Sequence, residues 1–295
     1  MVWRPRPSSG GRVGIALASA AAVLACLALA LGLTSEPGPF AFVELVVAIV
    51  ALAAWAIFAL WTYGFSTLRY TLTPNALVIR WLGGDDIIPL ERVDGIYSGQ
   101  RIGPVRGVRG LTWPGYVVGF KVQNGMPVSF FATTEDPAAL TLIVLDQRIY
   151  AISPDDGPAF RQELIRRIEQ ATSTLPTPRQ GMLRRVAATL MDPASLLLLG
   201  ISLALALAVL GLYMLRIASL PAETALHFAA DGTPDVTGPR ANLARLPLLG
   251  LAGWLGSTLV GLGLARSDRA LARLLWFGSA AAELVLVIAA LRLLT

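Results

Sequence analysis

The stretch Arg69-Tyr70-Thr71-Leu72-Thr73-Pro74-Asn75-Ala76-Leu77-Val78-Ile79-Arg80 carries the first alternating pattern in the chain. Apolar and polar residues take turns on either side of Pro74-Asn75, as expected for two half-buried strands, Leu68 to Thr73 and Ala76 to Leu82, joined by a tight turn. Asp86 to Leu90 continues as a third strand. What precedes reads differently: Val13 to Leu33 and Ala41 to Tyr63 are unbroken apolar runs, each long enough to cross a hydrocarbon layer of about 30 Å. Ala194 to Leu215, Leu246 to Ala265 and Ala270 to Leu294 are three more. The expected fold class is therefore an α-helical polytopic membrane protein of five spans, with a β domain inserted between the second and third.

Composition agrees. Of 295 residues, 55% are hydrophobic and 15% charged, against roughly a quarter charged in ordinary soluble domains, which excludes a single soluble globular enzyme. One histidine, His227, and one cysteine, Cys26, leave no material for Cys/His zinc sites or disulfides. The net charge of +5 comes from 24 basic residues, of which only Lys121 is lysine. Much of that charge brackets the apolar runs instead of gathering on one face with aromatics, so nucleic acid is not an expected partner.

Arg4, Arg6 and Arg12 precede the first span, Arg69 follows the second, and Arg179, Arg184 and Arg185 precede the third. Arg266, Arg269 and Arg273 lie at the turn between the fourth and fifth, whereas Thr34 to Phe40 has no basic residue. Positive-inside counting places residues 1–12, the domain 64–171, the linker 172–193 and the Ser267 turn in the cytoplasm, and the loop 216–245 and the C-terminus outside. The expected location is the inner membrane. An alternative reading makes the first span a cleaved signal peptide, from its arginines and Ala28-Leu29-Ala30, which leaves the domain cytoplasmic either way.

Within 64–171, Tyr116 to Gln123 and Val128 to Thr133 read as a hairpin across Asn124-Gly125, and Leu140 to Leu145 and Arg148 to Ile152 follow. A helix from Pro154 to Ala171 is expected, with Ser153 as N-cap and Phe160, Leu164, Ile165 and Ile168 on one face. Arg161, Arg166 and Arg167 would take the opposite face, in solvent. About seven strands and a terminal helix, together with Tyr70-Thr71-Leu72-Thr73, Ile88-Pro89-Leu90, Trp113-Pro114-Gly115-Tyr116 and Ile152-Ser153-Pro154-Asp155-Asp156, resemble the pleckstrin-homology-like (PH-like) domains of bacteria. That resemblance implies a sheet sandwich plugged at one end by the helix, and a binding or scaffolding module with no shared enzymatic activity.

Between Gly95 and Trp113 lies a Gly- and Arg-rich loop. Arg101, Arg106 and Arg109, with Lys121 and Trp113, form the candidate lipid- or partner-binding set, because each basic residue near an anionic leaflet contributes about 1 kcal/mol of attraction. Gly103, Gly107 and Gly110 would keep the loop pliable.

The loop 216–245 contains Pro221, His227-Phe228, Asp231-Gly232 and Pro234-Asp235, with Arg240 beyond. This order resembles a short extracytoplasmic motif of unknown function found in bacterial membrane proteins, including some similar to toxin-immunity proteins. His227, Asp231 and Asp235 have acceptable metal-ligand chemistry, but Gly232 and Pro234 break the helix their spacing would need, and a turn with His227 bonded to backbone is favoured over metal. Glu283 lies near the middle of the fifth span, where a charged carboxylate is costly and the side chain must face protein or water or carry its proton; interhelical hydrogen bonding is favoured over an ion path.

The expected function is a membrane-anchored binding or scaffold protein, not an enzyme, with no cofactor and no metal. Its expected partners are membrane lipids, a protein or a second copy of itself. The alternative is a sensor or immunity-type protein whose outer loop meets an extracytoplasmic ligand. The topology is directly testable. In a Cys26→Ser background, an impermeant thiol reagent should label a cysteine at Thr237 but not one at Ser98 in whole cells, and the reverse pattern would invert the map.

Overall fold

A computed structural model of the chain describes residues 1–123, 125–145, 148–170, 186, 189, 192–229, 232–265 and 267–294. The first three elements are a short strand β1 (Val2–Trp3) and two long helices, α1 (Gly10–Thr34) and α2 (Pro39–Thr67). Pro39 opens α2, where its missing N–H costs nothing. That helix runs through Thr67, so Gly64 to Thr67, assigned by sequence to the soluble domain, are helical. After the β domain come α4 (Pro193–Arg216), α5 (Arg245–Leu264) and α6 (Arg269–Leu294), with α3 (Gly157–Ile168) closing the domain itself. Five of these helices, α3 excepted, are long and apolar enough to cross a membrane. The protein is a multi-pass membrane protein with a β domain inserted in it.

Two compact units divide the chain: Met1–Ala20 with Ala54–Arg184, and Ala21–Ala53 with Arg185–Thr295. In the first unit, β2 (Arg69–Leu72), β3 (Ala76–Trp81) and β4 (Gly84–Pro89) form an antiparallel sheet with β1 on its edge. The second sheet has the order β5-β9-β10-β8-β7-β6, comprising β5 (Val93–Ser98), β6 (Arg109–Trp113), β7 (Tyr116–Gln123), β8 (Met126–Ala132), β9 (Thr141–Leu145) and β10 (Arg148–Ile152). Only β10 and β8 run parallel. Strands β5 and β6 were hidden in the sequence: a bulge between Val93 and Gly95 breaks the alternation of β5, and Gly110 of β6 pairs with Gly119 of β7 in a glycine-on-glycine contact.

Tyr70 bridges the two sheets. Its hydroxyl donates to the Phe131 carbonyl at 2.6 Å and accepts from the Ser153 amide at 3.3 Å, and burial pushes its pKa up to about 12. The second sheet is covered on both faces. On its far side, Val117, Val128, Phe130 and Leu142 pack under Ile102, Val105 and Val108. The Gly- and Arg-rich loop is thus held down by three apolar residues at regular spacing. Its path needs Gly103 and Gly107, whose φ values of 60° and 70° lie in the left-handed region.

Asp156, not Ser153, caps α3, accepting from the Ala159 amide at 3.0 Å. The Ser153 hydroxyl is taken by the Thr133 amide at 2.8 Å. Phe160 and Leu164 are fully buried, whereas Ile165, expected on the same face, is 49% exposed. Nor is Arg167 free in solvent: it donates to the Leu72 carbonyl at 2.7 Å and pairs with Glu163, while Arg161 reaches Thr141. Hydrogen bonds from Arg166 and Arg167 hold the Glu163 carboxyl at about 2.

The N-terminal segment belongs to this unit structurally. Val2 and Trp3 pair with Thr71 and Tyr70, Trp3 meets the edge of Phe160 at 5.5 Å between ring centroids, and the Arg6 amide and carbonyl bond to Ser153 and Thr133. Residues 1–12, read from the sequence as a cytoplasmic segment of their own, contribute an edge strand and a strap.

In the second unit, Asp192 caps α4, accepting from the Ser195 amide and hydroxyl and from Arg273 of α6 at 3.0 Å. These hydrogen bonds, Ser195 first, hold its carboxyl below the usual range. Small residues let the helices approach: Gly261 faces Trp276, and Gly211 faces Phe42. Truncating the fully buried Phe160 to Ala should cost about 3 to 5 kcal/mol, and Ile165→Ala well under half of that. Thermal unfolding of the two full-length variants in detergent checks this; equal melting would mean that α3 does not seal the sheets.

Candidate functional site

The turn Trp113-Pro114-Gly115-Tyr116 joins β6 to β7. Proline supplies the fixed φ of its first central position and Gly115, at φ 82°, the left-handed second one. This tip lies against the start of α1. The Ser8 hydroxyl donates to the Gly115 carbonyl at 2.7 Å and accepts from the Gly10 amide at 3.3 Å. A side chain at Gly10 would collide with that same carbonyl.

Trp113 fills the space beside this contact. Its indole N–H donates to the Gly10 carbonyl at 2.9 Å, and its ring packs on Tyr116 at 5.1 Å and edge-on to Phe58 of α2 at 6.3 Å. A Cβ at Gly14 would lie within 2.9 Å of that ring. On the neighbouring side, Trp81 donates to the Tyr116 hydroxyl at 2.6 Å. Trp61 meets Trp81 at 6.2 Å and Phe65 meets Tyr116 at 5.5 Å, both edge-on. Gly64 leaves room for Trp81 and Tyr116, and burial pushes the Tyr116 phenol pKa up. Gly10, Gly14 and Gly64 thus form a notch in the first two helices that receives the domain's aromatic side chains. Trp113, expected at a lipid or partner surface, is 6% exposed and is a structural member of this joint.

The other members of the sequence-derived set do not converge on one face. Arg101 lies over the Tyr97 ring at 4.0 Å. Arg106 is exposed and lines a cleft of about 560 Å³ that Glu135 and Asp136 also line, so its field there is partly cancelled. Arg109 sits in strand β6, directly opposite Phe120. Lys121 alternates onto the opposite face, the one shared with Val117. What the sequence concealed is an apolar pair: Phe120 is 44% and Val122 64% exposed, on the same side of β7 as Arg109.

The loop 216–245 is a β-hairpin, β11 (Glu223–Phe228) with β12 (Pro234–Pro239). Pro221 precedes it, Gly232 takes its turn at φ 85° and Pro234 begins the return strand; Asp231 lies outside the described residues. His227 bonds side chain to side chain, not to backbone: its Nδ1 is 2.6 Å from an Asp235 carboxylate oxygen on the hairpin surface. Arg240 donates to the Leu220 carbonyl at 2.8 Å, and Leu220 and Leu226 pack on Val209, Leu243 and Leu294.

Glu283 is 2% exposed and packs against Gly250 and Gly253 of α5. Its Oε2 has no hydrogen-bond partner among the described residues. One turn earlier, Ser279 meets Ser257 of α5 at 2.8 Å and Ser202 of α4 at 3.1 Å. Interhelical hydrogen bonding at this level is carried by the three serines.

Comparison with known proteins bears on the β domain. Residues 68–168 match the bacterial PH domain family. The match runs from β2 through α3 and leaves out the N-terminal strap and all five membrane helices. No curated protein and no solved structure matches the chain. The joint between the PH-like domain and its helices was missed by sequence reasoning, although two signals were present: the Gly10-x-x-x-Gly14 spacing, and the aromatic residues Phe58, Trp61 and Phe65 at the end of the second run. Trp113→Ala should lower domain stability by about 3 to 5 kcal/mol and Trp113→Phe, which loses mainly one hydrogen bond, by about 1 kcal/mol. Thermal unfolding of the full chain in detergent measures both, and wild-type melting of Trp113→Ala would remove the joint's claim to hold the domain.

Proposed function

We propose that the protein is a membrane-anchored binding module whose PH-like domain presents a protein-contact surface at the cytoplasmic face. The observation that carries this reading is the exposed Phe120–Val122 pair beside Arg109. Apolar side chains bordered by arginine are the composition of contact patches, and a strand surface positions them rigidly. Mixed charge in the cleft of the loop that covers the other face of the sheet, with Arg106, Glu135 and Asp136 among its lining, also speaks against an anionic lipid there. The partner expected is a protein with an apolar patch and carboxylates facing Arg109.

A second reading draws on the outer hairpin, whose exposed His227–Asp235 pair lies within the stretch that resembles the extracytoplasmic motif. On that reading the hairpin recognises an external ligand, as in a sensor or immunity-type protein, and the domain reports it inside.

A photoreactive residue at Val122 in native membranes should capture a discrete protein adduct that Phe120→Glu removes. A probe at Glu169, also exposed and just past the end of α3, should capture none. An adduct of twice the chain's mass identifies a second copy as the partner. No adduct at Val122 above the Glu169 control overturns the proposal, and an adduct that disappears in His227→Ala favours the sensor.

A further inference from the structure

At the root of the first membrane hairpin, a cleft of about 790 Å³ opens between the N-terminal strap and the end of α2. Its walls carry Arg4, Arg6 and Arg69 above Phe65, Ser66 and Leu68, and no carboxylate lines it. Val2 pairs with Thr71 and Trp3 with Tyr70; β1 ends there, the Arg4 carbonyl accepts from the Asp155 amide, and Arg69, at the start of β2, pairs with Arg80 on β3. Arg4 and Arg69 thus line one cleft, and Arg80 is the cross-strand neighbour of Arg69. Arg80 is neutralised, its Nε bonded to Asp85 at 2.9 Å. Arg4 and Arg69 form no ion pair among the described residues, and both are exposed. Like charges that share one cleft repel, so this arrangement favours an anion between them.

Position narrows the anion. Arg69 lies two residues beyond the end of α2, and α1 begins at Gly10, six residues after Arg4. The cleft thus stands where both helices leave the hydrocarbon, at headgroup depth. The N-terminal end of α1 adds a fixed partial positive charge nearby, and Phe65 and Leu68 continue the cleft as an apolar floor toward the helices. Asp155 and Asp156 line a neighbouring cleft that shares Arg6, which leaves Arg4 and Arg69 as the principal pair. We propose that this cleft binds a phosphate group, that of an anionic membrane lipid, with Arg4 and Arg69 holding the phosphate oxygens and the lipid's chain lying along Phe65. Guanidinium groups suit this role because each offers two parallel N–H donors to phosphate oxygens. The site is separate from the Val122 surface and does not depend on the protein-contact reading.

The test uses the full chain in neutral detergent and follows the melting temperature with added short-chain phosphatidylglycerol, short-chain phosphatidylcholine or inorganic phosphate. Phosphatidylglycerol should stabilise the protein, phosphatidylcholine should not, and Arg4→Ala/Arg69→Ala should raise the half-maximal lipid concentration about tenfold or more, as expected for losing charge-assisted contacts. Arg12→Ala removes a charge from the same interface outside the cleft and should leave the response intact. Arg69→Glu guards against a folding artefact: it places a carboxylate across from Arg80 and in the cleft with Arg4, so this variant should melt no lower than wild type without lipid and yet fail to respond. Equal stabilisation by inorganic phosphate would keep the phosphate site and overturn its assignment to a lipid. Loss of response in Arg12→Ala as large as in the double variant, or a normal response in Arg69→Glu, would overturn the site.

Discussion

Trp113 in its glycine notch is the constraint on which the first unit depends. A buried indole with its N–H satisfied by the Gly10 carbonyl needs three conditions at once: a β6–β7 turn tight enough to point it outward, helices with no side chain at Gly10 or Gly14, and aromatic neighbours to fill the remaining volume. The Pro114-Gly115 turn meets the first, the glycine spacing the second, and Phe58 and Tyr116 the third. The same cluster continues through Trp81 and Trp61, so the domain and the ends of its two helices share one continuous core.

Within the first unit the arginines take different roles according to their place. Arg167 and Arg80 are structural, tied to Leu72 and Asp85. Arg101 is stacked on Tyr97, and Arg106 stands among carboxylates. Arg4 and Arg69 remain at the root of the hairpin without counter-charges in their cleft. A net charge of +5 therefore says little until the fold shows which guanidinium groups have partners and which line a cleft without a carboxylate.

The second unit meets a different physical demand. A carboxyl at hydrocarbon depth must face protein or water or carry its proton, and Gly250 and Gly253 provide the space in which Glu283 packs against protein. The serine trio one turn away carries the interhelical hydrogen bonds. Outside the helices, the His227 hairpin rests on Val209, Leu243 and Leu294 through its leucines, which leaves its His227–Asp235 pair facing outward.

Five membrane helices, the inserted β domain and its helix were legible in the sequence alone, because each rests on local periodicity: long apolar runs for the spans, alternation for β2, β3 and β7, and helical spacing for Phe160 and Leu164. Kinship with bacterial PH domains was legible for the same reason, being carried by short contiguous motifs. Tertiary structure alone decided the rest. Strands β5 and β6 are built on glycines that erase alternation, and β1 is too short to have any. The loop over the second sheet is pinned by Ile102, Val105 and Val108, whose shared face exists only once Gly103 and Gly107 have turned the backbone. Trp113 became a joint residue and Phe120 a surface one because burial on a strand depends on what covers it, and the cover comes from segments far away in sequence. Arg4 and Arg69 share a cleft for the same reason: the pairing of β1 with β2 across more than sixty residues is set by packing, which no local pattern records.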